Sequence, residues 1–84
     1  MNDQVLVTLC FGQTERDYAL PSSTPLAELY PRLLSVLQKS DSDVFEKASG
    51  ICLQREDGYL TDKNAALLDY GVKNGSRLTV CVEG

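Results

Sequence analysis

Apolar and polar residues alternate from Gln4 to Phe11, with Val5, Val7, Leu9 and Phe11 set against Leu6, Thr8 and Cys10. A run this rich in β-branched and aromatic residues predicts a strand. Gly12-Gln13-Thr14 reads as a turn, and Glu15 to Leu20 alternates again through Tyr18 and Leu20, so the first twenty residues predict a β-hairpin. Pro21 ends the second strand because it has no N–H to give a ladder. Thr24 is then a good N-cap, with Pro25 at the first helical position. From there Leu26, Leu29, Tyr30, Leu33, Leu34 and Leu37 fall on one helical face. Glu28 near the start and Lys39 near the end suit the helix dipole. Pro31 removes a helical hydrogen bond and predicts a kink near 27–31. The stripe stays in phase on both sides of it, which argues for one bent helix.

The stretch 40–50 is polar apart from Val44-Phe45 and predicts a loop with one helical turn, Phe45 plugging the edge of the core. Ile51 to Arg55 alternates as a strand, Glu56-Asp57-Gly58 forms a turn, and Tyr59-Leu60 begins a short return strand. Ala65 to Leu68 predicts a helical turn. Lys73-Asn74-Gly75-Ser76 is a strong turn signal. Arg77 to Val82 is the last strand, with Leu78, Val80 and Val82 on one face. The order is β-β-α-β-β-β. A single amphipathic helix can bury its stripe only on one face of a sheet. The prediction is an α+β domain over residues 1–84, a mixed sheet of four to five strands on one main helix, the first and last strands side by side at its centre.

Composition narrows the function. The 84 residues carry eight Lys and Arg against twelve Asp and Glu, a formal charge of −4. This disfavours a nucleic-acid binder, which normally presents a basic face, and disfavours docking on an anionic membrane. There is no His, so the commonest general base and a leading metal ligand are missing. A chain of this length hides only about 60% of its unfolded surface and has little left over for a deep cleft. A non-enzymatic interaction module is therefore expected, with no cofactor. The polar, acidic Met1-Asn2-Asp3-Gln4 is unlike a secretory signal, and no apolar run approaches the ~20 residues needed to insert in a bilayer. These features predict a cytoplasmic protein.

The cysteines Cys10, Cys52 and Cys81 are the one set of reactive groups, and they fit no CxxC pattern. In a cytoplasmic protein they are expected as thiols. With Val5, Val7, Leu9, Ile51, Leu53, Leu78 and Val80 inward, all three point to the opposite face. A soft-metal or redox site is the sharp reading; small packing residues beside a binding face are the plainer one. Without His and with the wrong ligand spacing, the plainer reading is preferred and no metal site is expected. Asp41, Asp43 and Glu46 start like a calcium loop but lack its glycine and twelfth-position Glu, so they read as a solvated acidic loop. Gly71 and Gly75 do not make a phosphate loop. The helix has only Arg32 and Lys39 opposite its stripe, too few cations for a lipid anchor.

Two stretches resemble known families. Leu67 to Val82, LLDYGVKNGSRLTVCV, is similar to the C-terminal third of ubiquitin-like β-grasp domains. That resemblance agrees with a buried Tyr70 ring whose hydroxyl bonds backbone, an unusual backbone angle at Gly71, and Val72 in the core. Ala19 to Leu37, ALPSSTPLAELYPRLLSVL, resembles the YukD/EsaB family and the ubiquitin-like N-terminal domain of EccD proteins, both of type VII (WXG100, ESX) secretion systems. The resemblance implies an accessory or regulatory component whose partners are cytosolic proteins of that machine. It also implies two alternatives. One is a protein modifier or sulfur carrier, which would need a flexible Gly-Gly tail. This chain reads Val82-Glu83-Gly84, and the alternative is disfavoured. The other is a ubiquitin-like domain excised from a larger EccD-type membrane protein. The expected contact surface is the open sheet face: Leu6, Thr8, Cys10, Cys52, Gln54, Thr79 and Cys81.

Overall fold

The computed structural model describes residues 3–83. The terminal Gly84, on which the tail expectation turned, lies outside the described residues, as do Met1 and Asn2.

The alternation in the first segment forms β1, Gln4–Phe11, with Val5, Val7, Leu9 and Phe11 buried. A two-residue loop, Gly12-Gln13, returns the chain as β2, Thr14–Pro21. Gly12 takes a φ of +59°, a left-handed angle that a side chain would disfavour. The strand starts one residue before the expected Glu15 and includes Pro21. Pro21 is tolerated because it pairs with Gln4 where its missing N–H points away from β1, so no ladder donor is lost.

Helix α1 spans Leu26–Ser40 and runs unbroken through Pro31. Its cap corrects the sequence reading. Pro25, not Thr24, is the N-cap residue, and no side chain caps the helix. The first N–H groups are satisfied otherwise: Leu26 donates to the Ala65 carbonyl at 2.9 Å and Ala27 to the Lys63 carbonyl at 3.1 Å. A loop carbonyl pair does here what a Ser or Thr oxygen usually does. Leu26, Leu29, Tyr30, Leu33 and Leu37 are buried, with Leu34 at the margin.

A single helical turn, α2 (Ser42–Phe45), follows. Phe45 is fully buried and meets Phe11 edge-to-face, ring centroids 5.1 Å apart. Strand β3 (Gly50–Arg55) and the two-residue β4 (Gly58–Tyr59) form a hairpin. The helical turn expected at 65–68 is a 3-10 turn at Leu67–Tyr70. It is displaced because Asp69 accepts the Ala66 N–H at 2.8 Å, which fixes the turn's start after Ala66. Gly71 then takes a φ of +76°, and Val72 enters the core. Strand β5 is Arg77–Glu83.

The five strands lie in the order β2-β1-β5-β3-β4, with β1 and β5 parallel and every other pair antiparallel. The helix covers one face. Two inward expectations need correction. Val82 is 47% exposed. It pairs with Ile51 on one side, but the β1 pairing ends at Thr79, so its other flank is open. The Tyr70 ring is half-buried, not buried, although its hydroxyl does accept a backbone N–H, that of Asp62, at 2.8 Å.

Tyr30 does more than fill its place in the stripe. Its hydroxyl donates to the Leu60 carbonyl at 2.6 Å and accepts the Leu53 N–H at 3.2 Å. The Leu60 N–H reaches the Leu53 carbonyl directly at 2.9 Å. The phenol oxygen therefore splices the second half of that β-pair where the strands diverge. Burial pushes the Tyr30 phenol above the ordinary tyrosine range, opposed in part by the Leu53 N–H.

Candidate interaction surface

The face of the sheet opposite α1 has no element packed on it among the described residues. The registers Cys10↔Thr79, Gln54↔Thr79 and Cys52↔Cys81 bring β1, β5 and β3 together there. Side chains alternate across a strand, so Leu6, Thr8, Cys10, Cys52, Gln54, Thr79 and Cys81 all start from this face. Their roles diverge. Leu6 is 53% exposed, while its backbone is clipped to the 73–76 turn: the N–H meets Asn74 Oδ1 and the carbonyl accepts the Gly75 N–H, each at 2.8 Å. Thr8 Oγ1 donates to Asp17 Oδ1 across the hairpin at 2.7 Å. Thr79 is open to solvent.

The three thiols do not converge. Cys10 Sγ lies 3.6 Å from Arg77 Nη2. Cys81 Sγ contacts Gln54 Oε1 at 3.7 Å. Cys52 turns toward the sheet edge, 3.6 Å from the Leu53 carbonyl and 3.8 Å from that of Leu60, and packs partly against the core. Desolvation raises its pKa, with the nearby Tyr30 hydroxyl acting in the other direction. Cys52 and Cys81 are direct partners. The N–H and carbonyl of Leu53 both face the β4 side, so the alternate residue Cys52 turns its own backbone groups to β5 and forms a hydrogen-bonded pair with Cys81. Such pairs hold their Cβ atoms about 5.5 Å apart, beyond the ~3.5–4.5 Å of a disulfide, so a bridge would require backbone movement. All three cysteines are free, and among the described residues no cluster of acidic and thiol groups stands ready for a metal ion.

A wide, open hollow of about 770 Å³ lies at one end of this face, with Cys10, Gln54 and Thr79 on its floor. Charged residues that the sequence reading left out form its rim: Glu15, Arg55, Glu56, Lys73 and Arg77. Arg77 pairs with Glu15, which holds the guanidinium still more firmly protonated. Arg55 reaches the other way and donates to the Tyr70 carbonyl. The signal for Arg77 was present in the last strand, since alternation with Leu78 and Val80 inward puts it beside Thr79.

A mixed sheet with β1 and β5 central and parallel, one helix across one face and the other face open defines a ubiquitin-like domain. Residues 5–80 match the profile of the family described as WXG100 protein secretion system (Wss), protein YukD, and the chain belongs to that family. Among solved structures, it is similar to the ubiquitin-like domain of the Mycobacterium tuberculosis type VII secretion system protein EccD1, with 26% identity and a TM-score of 0.74 over 93% of this chain and 97% of that one. The EccD5 ubiquitin-like domain from Mycobacterium xenopi aligns over 99% of both chains at 20% identity, with a TM-score of 0.79. A chain of an ESX-5 inner membrane complex matches 96% of this chain with only 21% of its own length, at 21% identity and a TM-score of 0.76. Among curated proteins, no sequence matches this one. No helix among the described residues is long and apolar enough to cross a membrane.

Proposed function

We propose that this ubiquitin-like protein is a non-enzymatic accessory or regulatory component of a type VII secretion system, and that it docks a cytosolic protein of that apparatus through its open sheet face. The observation that carries the reading is the exposed Leu6 on a face that no described element covers, within a chain of the YukD family. An apolar side chain standing open on the same face as Thr8, with a charge-rimmed hollow at the other end of that face, has the make-up of a docking surface. The similarity to a domain within an ESX-5 inner membrane complex supports the same reading. The cysteines contribute small, semi-buried packing, and chemistry at sulfur is not required. The double change Leu6→Asp with Cys81→Asp tests it in a host that carries such a system. The protein should stay folded by circular dichroism while secretion and co-purification with the apparatus are lost. Intact secretion with a folded double variant would show that the face is not the interface.

A further inference from the structure

A second surface lies on the far side of the molecule. Strand β2 is an edge strand, paired only with β1. The backbone groups of Leu6 and the N–H of Thr8 face the β5 side, where they meet Asn74, Gly75 and Ser76. The alternate residues Val5, Val7 and Leu9 therefore bond to β2 at Leu20, Tyr18 and Arg16. It follows that Glu15, Asp17 and Ala19 turn their N–H and carbonyl groups to the free edge. Natural edges are guarded by charge or proline. Here Glu15, Arg16 and Asp17 guard one half and Pro21 closes the end, but Tyr18-Ala19-Leu20 carries no guard.

Beside that unguarded stretch runs an apolar groove of about 380 Å³ between β2 and α1. Tyr18, Leu20, Leu29, Leu33 and Val36 line it, and Val36 is 46% exposed. Arg32 is the one charged residue in its wall among the described residues. Unlike Arg16 and Arg77, which have acidic partners, Arg32 has none among the described residues.

We infer that this groove takes an extended segment of a partner protein, added as a strand along Ala19, with aliphatic side chains at alternate positions in the groove and an acidic residue on Arg32. The free edge supplies the main-chain hydrogen bonds, the groove reads every second side chain, and Arg32 sets the charge of the flank. A second copy of this chain fits less well. Antiparallel pairing of two β2 edges sets Asp17 against Asp17, or, shifted toward Ala19, sets Glu15 or Asp17 against Pro21, which has no N–H to give.

The test is selection of a random dodecapeptide display library on the wild-type protein, with binding of the enriched peptides then measured by amide shift mapping. The expected peptides carry aliphatic residues at alternate positions with an acidic flank, and they shift the signals of Asp17, Ala19, Leu33 and Val36. Val36→Asp and Arg32→Glu replace exposed side chains and leave the fold intact; each should weaken binding by about tenfold or more. Exchanging the acidic flank for Lys should weaken binding to wild type and restore it to Arg32→Glu. Peptides that bind Val36→Asp as tightly as wild type, shifts confined to the open sheet face, no enrichment, or concentration-dependent pairing of the protein through β2 without peptide would each overturn the inference.

Discussion

Replacing Tyr30 by phenylalanine removes one oxygen and leaves two buried main-chain groups, the Leu53 N–H and the Leu60 carbonyl, without the hydroxyl that joins them at 3.2 and 2.6 Å. The ring keeps its place in the apolar stripe, so the change tests the splice and not the packing. An unsatisfied buried polar group costs about 1–3 kcal/mol, and some relaxation is open to the short β4, so the expected loss is about 3 kcal/mol. In a domain of this size that lowers the thermal midpoint by roughly 12–24 °C. Urea unfolding reads it as a fall in midpoint at unchanged slope, and hydrogen exchange should show the Leu53 amide losing protection. The raised Tyr30 phenol adds a pH signature. A group whose folded pKa lies above its unfolded value contributes fully below the unfolded value, about 10 for tyrosine, and its contribution is lost as pH rises beyond that. The gap between wild type and Tyr30→Phe should therefore narrow above about pH 10. A cost under about 0.5 kcal/mol, with Leu53 still protected, would refute the splice, since one satisfied net hydrogen bond alone is worth about that much.

Tyr70→Phe should cost under about 1 kcal/mol by the same urea assay, because the Asp62 N–H it frees is exposed and can turn to water. Phe45→Ala removes a fully buried ring set edge-to-face against Phe11 and should cost about 3–5 kcal/mol, read as a large fall in the thermal midpoint. Gly71→Ala should cost about 1–2 kcal/mol from its positive φ alone, because the added Cβ meets nothing closer than Arg55 Nη1 at 3.4 Å; Gly71→Asn should cost less. Iodoacetamide at pH 8 should label Cys52 more slowly in the folded protein than in urea, because burial raises its thiol pKa; equal rates would contradict that.

The strands were legible because each alternates with period two against a single buried face, as Val5, Val7, Leu9 and Phe11 do, and because Gly12 and Gly75 sit where the backbone needs a positive φ. The helix was legible from its stripe. Its cap was not, because the acceptors for Leu26 and Ala27 come from Ala65 and Lys63, far along the chain. The Tyr30 splice and the Asp69 contact that sets the 3-10 turn are hidden for the same reason: each depends on which distant backbone group lies nearby. For the candidate face, alternation gave the side of the sheet on which each residue starts. It could not give the turn of the Cys52 thiol toward the edge, the Thr8–Asp17 bond, or the rim charges other than Arg77, which depend on register and rotamer. The β2–α1 groove has no signature in the sequence, because a groove belongs to the spacing between two elements and to neither one's pattern.

Docking of the open sheet face on a component of a type VII secretion apparatus can be read in cells. A photo-crosslinking amino acid placed at Leu6, at Thr79, or at the exposed Lys47 on the α2 side tests it most directly, in cells that carry the apparatus. Positions 6 and 79 should form an adduct with a protein of the apparatus, and position 47 should not. Adducts from position 47 with none from 6 or 79 would contradict it.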